Sequence, residues 1–191
     1  MLDQLTRLDT GLFLWINGHH CTAMDWVMWV MTQHWCWAIV LLAAFGAMTL
    51  RSEPRRWWLV LAAVALCFLL ADQSSVMIKE WVCRPRPCHA LEGVRMFRTR
   101  CGGDYGFVSS HAANSFAIVA FLWLRYRKRF PIGVVLMLLW AMTTCYSRPY
   151  LGKHYPGDLL GGALLGIAVG VVVWLISNAV EKKLRKSETK W

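Results

Sequence analysis

Charged residues are scarce in this 191-residue chain: Asp, Glu, Lys and Arg together make up 17%. Soluble domains carry about a quarter, so most cytosolic enzyme folds are excluded. Disorder is excluded as well, because 57% of the residues are hydrophobic. Internal repeats, low-complexity tracts and a recognisable soluble domain are also missing, so residues 1–191 read as one membrane domain. The first ten residues have no basic stretch ahead of an apolar one; they hold Asp3 and Asp9 beside a single Arg7. A cleavable signal peptide is therefore not expected, and the first membrane helix is expected to serve as the targeting signal.

What the chain has in quantity is apolar and basic. About 20 consecutive apolar residues cross a bilayer as a helix, and runs over 35–50, 57–71, 110–124, 131–146 and 159–176 predict five spans of an all-α membrane bundle. The second run continues through Asp72, Gln73, Ser74 and Ser75 toward Lys79. Residues 1–31 are ambiguous: the apolar stretch from Leu12 to Ile16 is cut short by Asn17, Gly18, His19 and His20, so this region is either an interfacial helix or an imperfect sixth span. Trp15, Trp26, Trp29, Trp35, Trp57, Trp58 and Trp81 cluster near predicted span ends and read as an aromatic belt.

The chain has 21 Lys and Arg against 11 Asp and Glu, a formal charge of +10. Basic loops are retained on the cytoplasmic side. Arg51, Arg55 and Arg56, then Arg125, Arg127, Lys128 and Arg129, then the 177–191 tail with Lys182, Lys183, Arg185, Lys186 and Lys190 all fall on one face of a five-span chain. Opposed by Glu53, Glu181 and Glu188, these account for most of the positive charge as an orientation signal. The opposite face receives an outer loop over 79–108 and a link over 147–155, which carry Lys79, Arg84, Arg86, Arg95, Arg98, Arg100, Arg148 and Lys153. Topology does not explain this second set, so it asks for a functional reason.

Within it, Lys79, Arg86 and Arg148 offer ammonium and guanidinium donors suited to the oxygens of a tetrahedral anion. Ser109, Ser110 and His111 stand where the outer loop enters the third span; Ser109 suits an N-cap, and the free N–H groups of a first helical turn bind anions. His154 and Asp158 bracket Pro156 and Gly157 at the start of the fifth span. A carboxylate there is favoured by the helix dipole and can orient an imidazole by accepting its N–H. His154 can then act as a nucleophile and His111 as the proton donor to a leaving oxygen.

Lys79 with Arg86-Pro87, Ser109-Ser110-His111, and Ser147-Arg148 with His154 and Asp158 resemble, in order and spacing, the three-part signature of the type 2 phosphatidic acid phosphatase superfamily. The resemblance covers about 72–160 by motif. It implies that Lys79, Arg86, Ser109, Ser110 and Arg148 bind phosphate, that His154 forms a phosphohistidine with Asp158 orienting it, and that His111 protonates the leaving alkoxide, with no metal or cofactor. Six helices and a site at the outer membrane surface are also implied. The sequence departs from the usual Pro-Ser-Gly-His of the middle motif: Val108 and Ser110 replace Pro and Gly, and Ser110 puts a side chain where backbone is expected near the phosphate.

The implied partner is a lipid phosphate reaching the site from the bilayer, with surrounding membrane lipids and no nucleic acid. Undecaprenyl pyrophosphate and lipid A are favoured over phosphatidylglycerol phosphate and phosphatidic acid, in a bacterial inner membrane with the site facing the periplasm or exterior. The extra Arg84, Arg95, Arg98, Arg100 and Lys153 favour a substrate with more than one negative charge. Rivals are transfer of the phosphoryl group to another acceptor, and a non-catalytic carrier, which would usually show inverted repeats. Cys36, Cys67 and Cys145 lie in spans as small apolar residues. Of the outer Cys83, Cys88 and Cys101, a Cys88–Cys101 disulfide is expected, with zinc held by Cys83, Cys88, His89 and Cys101 as the alternative. Asp72, seven residues before Lys79 on the same helix face, is either a structural partner for a nearby donor or part of the site. His19, His20, His34 and His89 read as interfacial polar groups.

Overall fold

The structure, a computed structural model, describes residues 2–52 and 55–188; Glu53 and Lys190, counted above on the cytoplasmic face, lie outside them. Among the described residues the chain is a bundle of helices. Helix α1 (Leu2–Gly18) is followed by α2 (Thr22–Val30) and α3 (His34–Ala44), which continues through a π-helical turn, Phe45–Leu50. Next come α4 (Trp57–Val82), the short α5 (Pro87–Ala90), α6 (Ser110–Tyr126), α7 (Pro131–Tyr150) and α8 (Pro156–Glu188). Helices α4 and α8 are each long and apolar enough to cross a membrane alone. Helix α2 and the α3–π segment meet that test only together, as a pair bent by 64° at the break between them.

Helix α6 occupies the middle of the bundle. It packs against α4, α7 and α8, and its buried side chains point in every direction: Ala113, Ala117, Ile118, Phe121 and Leu122 are all in the core. At 17 residues it is near the lower limit for a span, which suits a helix shielded from lipid by its neighbours.

The α6–α8 contact is the closest in the bundle, and its cause is a stripe of small residues. Gly162, Gly166 and Gly170, four apart on α8, face Ser109 at the N-cap of α6 and Ala113 and Ala117 within it, again four apart. A Cβ on Gly162 would come 2.9 Å from the Cβ of Ala112, and one on Gly166 would come 2.9 Å from the backbone N of Ala117. Those distances are too short for any side chain, so the two backbones touch, as in other membrane helix pairs built on small residues. Because α6 begins at Ser110 and α8 at Pro156, this contact sets the starts of both helices side by side.

At the far end of the bundle the three basic segments meet on one carboxylate. Glu181 accepts from Arg56 at 3.4 Å, Arg125 at 3.1 Å and Arg185 at 2.6 Å.

Three boundaries differ from the expectation. Helix α7 runs four residues past 146, so Ser147 and Arg148 lie in its last turns and not in a link; the Ser147 hydroxyl donates to the Thr144 carbonyl at 2.6 Å and the helix closes on Leu151 N to Ser147 O at 3.0 Å. Helix α8 extends through most of the 177–191 tail, supported by the Glu181–Arg185 pair one turn apart. The N-terminal region divides: α2 belongs with the α3–π segment as the bent pair, while α1 lies outside that pair and packs on α7 and α8. Helix α1 buries Phe13 and Asn17 against the bundle and exposes Leu5, Leu8, Leu12 and Trp15, the two-faced pattern of a helix lying in a membrane interface.

Candidate active site

The ends of four helices surround one polar locus: the last turn of α4, the start of α6, the end of α7 and the start of α8. His154 sits in the link between α7 and α8, buried. Its Nδ1 lies 3.3 Å from Oδ2 of Asp158, and that oxygen also accepts the backbone N–H of Tyr155 at 3.0 Å. Asp158 is 0% exposed. On the other side of the ring, Nη1 of Arg86 stands 2.8 Å from Nε2. A guanidinium only donates, so Nε2 is the acceptor and Nδ1 carries the hydrogen donated to Asp158. The nitrogen that faces the cations therefore holds a lone pair. Burial, with the charges of Arg86, Arg148 and Lys79, keeps the proton affinity of His154 well below the usual histidine range, so the ring is neutral at neutral pH.

Arg148 is 2% exposed, yet its Nε and Nη2 have no hydrogen-bond partner among the described residues. The Ser109 hydroxyl is equally buried and equally unpartnered. Buried polar groups are almost always paired, and a buried cation without a carboxylate is costly. A set of buried donors of this kind fits an anion that supplies several oxygens.

Lys79 donates to the hydroxyl of Ser110, which also lies 2.7 Å from that of Ser75. The side chain that replaces the usual glycine thus turns toward α4 and is taken up there. The N–H of Ser109 donates to the Asp158 carbonyl at 2.9 Å, tying the head of α6 to the first turn of α8. His111 follows in the first turn of α6, its ring meeting Trp37 of α3 edge-on at 5.9 Å between centroids. Trp37 also meets Trp140 edge-on at 4.6 Å, so an apolar wall stands behind His111.

The outer loop is fixed over the site. Arg86 Nε donates to the Gly103 carbonyl at 2.6 Å, its backbone N–H to Asp104 at 3.1 Å, and Gly106 N–H returns to Arg84 at 2.8 Å. Cys88 and Cys101 form a disulfide. His89 lies beside them, while Cys83 is exposed at the left-handed cap of α4 and, among the described residues, belongs to no such cluster.

Of the extra outer cations, most have internal partners. Arg95 forms a two-point pair with Asp25 at 2.8 and 2.6 Å. Arg98 lies over Trp26 and Trp29, and Arg84 bridges Asp9 and Asp158. Lys153 is different: half-buried, with no carboxylate against it among the described residues, it sits close enough to Arg148 and Arg86 that burial and their charges bring its pKa down to about 8. Asp72 accepts from Asn114 of α6 at 3.2 Å, a structural pairing between α4 and α6. Asp9 was not legible as a site residue in the sequence, and Lys153 was legible only as one of the surplus outer cations. Lys153 carried a signal, its position just before His154; Asp9, 145 positions from His154, carried none.

The profile of the PAP2 superfamily matches residues 55–182. The chain is 34% identical to the Lipid A 4'-phosphatase of Bacteroides thetaiotaomicron, over 97% of this chain and 84% of that protein. It is 36% identical to the decaprenylphosphoryl-5-phosphoribose phosphatase of Mycobacterium tuberculosis, over 91% and 82%. The crystal structure of Aquifex aeolicus LpxE superposes with a TM-score of 0.68 at 21% identity, covering 87% of this chain and 94% of that one.

Proposed function

Because the chain belongs to the PAP2 superfamily, we propose that it is a membrane-embedded phosphatase that removes phosphate from a lipid head group through a phosphohistidine at His154. The observation that carries this reading is the pairing of a lone-pair nitrogen with unpartnered buried donors: Nε2 of His154 faces Arg86, while Nε and Nη2 of Arg148 and the Ser109 hydroxyl await oxygens.

The steps follow from those groups. The phosphoryl oxygens displace Arg86 from Nε2 and take hydrogen bonds from Arg86, Arg148, Lys79 and the first turn of α6. Nε2 attacks phosphorus as the bond to the lipid oxygen breaks, and His111 gives that oxygen its proton. Asp158, accepting from Nδ1–H, stabilises the positive charge that the ring gains. Water, deprotonated by the now neutral His111, then cleaves the P–N bond, releasing inorganic phosphate and restoring both histidines.

Lipid A bearing a 4'-phosphate is the favoured substrate, supported by the name and 34% identity of the Bacteroides relative. The internal pairing of Arg84, Arg95 and Arg98 supports a single phosphoryl group over a diphosphate such as undecaprenyl pyrophosphate, since beside the exposed Arg100 it leaves Lys153 as the added cation next to Arg148 and Arg86. The meeting of Arg56, Arg125 and Arg185 at the opposite end supports a cytoplasmic position for that end and a periplasmic one for the site, in a bacterial inner membrane.

Phosphate release by purified protein from lipid A, undecaprenyl pyrophosphate, phosphatidylglycerol phosphate and phosphatidic acid is the direct test, with vanadate expected to inhibit as a mimic of the five-coordinate transition state. Full activity in His154→Ala would end the mechanism. Loss of substrate without free phosphate would point to transfer onto another acceptor.

A further inference from the structure

Asp158 gives only one of its oxygens to His154; the other, Oδ1, accepts from Nη1 of Arg84 at 2.9 Å. Arg84 is not a simple counter-ion. Its Nη2 reaches Oδ2 of Asp9 on α1 at 2.7 Å, and its guanidinium lies 4.2 Å over the ring of Tyr155. Tyr155 in turn meets Phe13, one turn after Asp9, edge-on at 5.4 Å. The remaining oxygen of Asp9 accepts the backbone N–H of Gly157 at 2.7 Å. A Cβ at residue 157 would lie 2.7 Å from Oδ2 of Asp9, so glycine there is a condition of the approach. One turn of α1 thus closes around the first turn of α8, next to the orienting carboxylate.

We propose that Asp9 and Arg84 are positioning residues that act on His154 through Asp158, making the interfacial helix α1 part of the catalytic apparatus. The inference rests on the reading of His154 as nucleophile. With Arg84 alone, the buried Asp158 would be half of a neutral pair, and its hold on the imidazole would be weakened by the guanidinium. Asp9 restores one negative charge to the trio. That charge is available to the histidine when it becomes cationic on bonding to phosphorus. Asp9 also fixes Arg84 from the side opposite Asp158, so the carboxylate plane is held against rotation, and its bond to Gly157 N–H ties the same network to the helix N-terminus. On the other face of α1, Leu5, Leu8 and Leu12 are exposed, so the segment that supplies this charge is also the one suited to lie on the lipid.

The test is Asp9→Asn in the full chain in detergent micelles, with kcat, KM and the pH profile of kcat measured on lipid A and, in parallel, phosphatidic acid. Loss of the charge is expected to lower kcat about 10-fold, the scale of groups that orient a functional ligand from behind, with KM within about twofold, since Asp9 does not face the phosphate. The imidazolium loses a stabilising charge and so gives up its proton at lower pH; the acid limb moves down. Asp9→Glu, which keeps the charge, is expected to leave that limb in place. A folded Asp9→Asn protein with wild-type kcat, or with lowered kcat and an unmoved acid limb, overturns the relay and leaves the phosphatase reading standing. If Asp9→Asn does not fold, Gly157→Ala displaces the Asp9 carboxylate with every charge retained; a lowered kcat supports the relay and wild-type kcat overturns it. No phosphate released by the wild-type protein from lipid A, undecaprenyl pyrophosphate, phosphatidylglycerol phosphate or phosphatidic acid overturns the parent reading, and the relay with it.

Discussion

Replacing Arg148 by Met should make the protein more stable and inactive at once. The guanidinium is 2% exposed and two of its nitrogens have no partner among the described residues. Each buried donor left unmade costs about 1–3 kcal/mol, and more when charged; replacing even a paired buried charge set by apolar residues of similar volume is often neutral or stabilising by about 1–4 kcal/mol, and Arg148 has no carboxylate partner among the described residues to leave behind. Methionine keeps most of the buried stem and removes the charge. A gain of ~2 kcal/mol in a chain of this size corresponds to a rise of roughly 4–8 °C in unfolding temperature. The assay is thermal unfolding in detergent with and without vanadate. Wild type should gain stability from the anion, about 2.7 kcal/mol at a concentration 100 times its Kd, whereas Arg148→Met should start higher and gain little. Phosphate release should fall by at least the ~10-fold to 200-fold that 1.5–3 kcal/mol of charge-assisted hydrogen bonding represents. A variant that unfolds below wild type and still responds to vanadate would refute the assignment, because it would mean that Arg148 serves the fold and not the phosphate.

Lys153, with its pKa lowered to about 8 by burial and by Arg148 and Arg86, is charged below that pH and loses its charge as pH rises through it, so KM should rise above about pH 8; Lys153→Arg, which stays protonated, should hold KM flat to higher pH. A KM equally pH-dependent in both proteins would remove Lys153 from the site. Gly166→Leu forces side-chain atoms against the backbone of Ala113 and Ala117 and should cost about 1–3 kcal/mol as overpacking, with loss of activity because the starts of α6 and α8 separate; Leu164→Ala, on the exposed side of α8, should fall within about 0.5 kcal/mol of wild type, both read by thermal unfolding. Replacing Cys88 and Cys101 by Ser opens a loop closed over a separation of 13 residues, worth about 3 kcal/mol of chain entropy. The local result should be faster proteolysis within 88–101 and a raised KM, since the residues just after Cys101 hold Arg86 through Gly103.

The parts of the site that sequence made legible are those whose chemistry is local. His154 and Asp158 are one helical turn apart, Ser109 to His111 are consecutive, and Lys79 and Arg86 flank one helix end, so spacing alone implies that each group acts together. What spacing does not carry is how the groups meet. That depends on Gly162, Gly166 and Gly170 matching Ser109, Ala113 and Ala117 across two helices. The stripe was present in the sequence as small residues four apart, a pattern that becomes informative only once the facing helix is known.

The extra outer cations show the opposite case, in which composition points away from the geometry. Counted as charge, Arg84, Arg95 and Arg98 favour a polyanionic substrate. In the structure each is engaged by the N-terminal region: Asp9 with Arg84, Asp25 with Arg95, Trp26 and Trp29 with Arg98. Asp9 and Asp25 look like isolated polar interruptions in a poor membrane segment because their partners are 70 or more positions away. Once paired, they explain why that segment is imperfect as a span: Asp9 and Asp25 would be costly in lipid, and they are retained where the outer loop and the head of α8 supply cations and N–H groups to receive them. The N-terminal helices and the surplus arginines are thus two halves of one structural device, and neither half has a clear reason without the other.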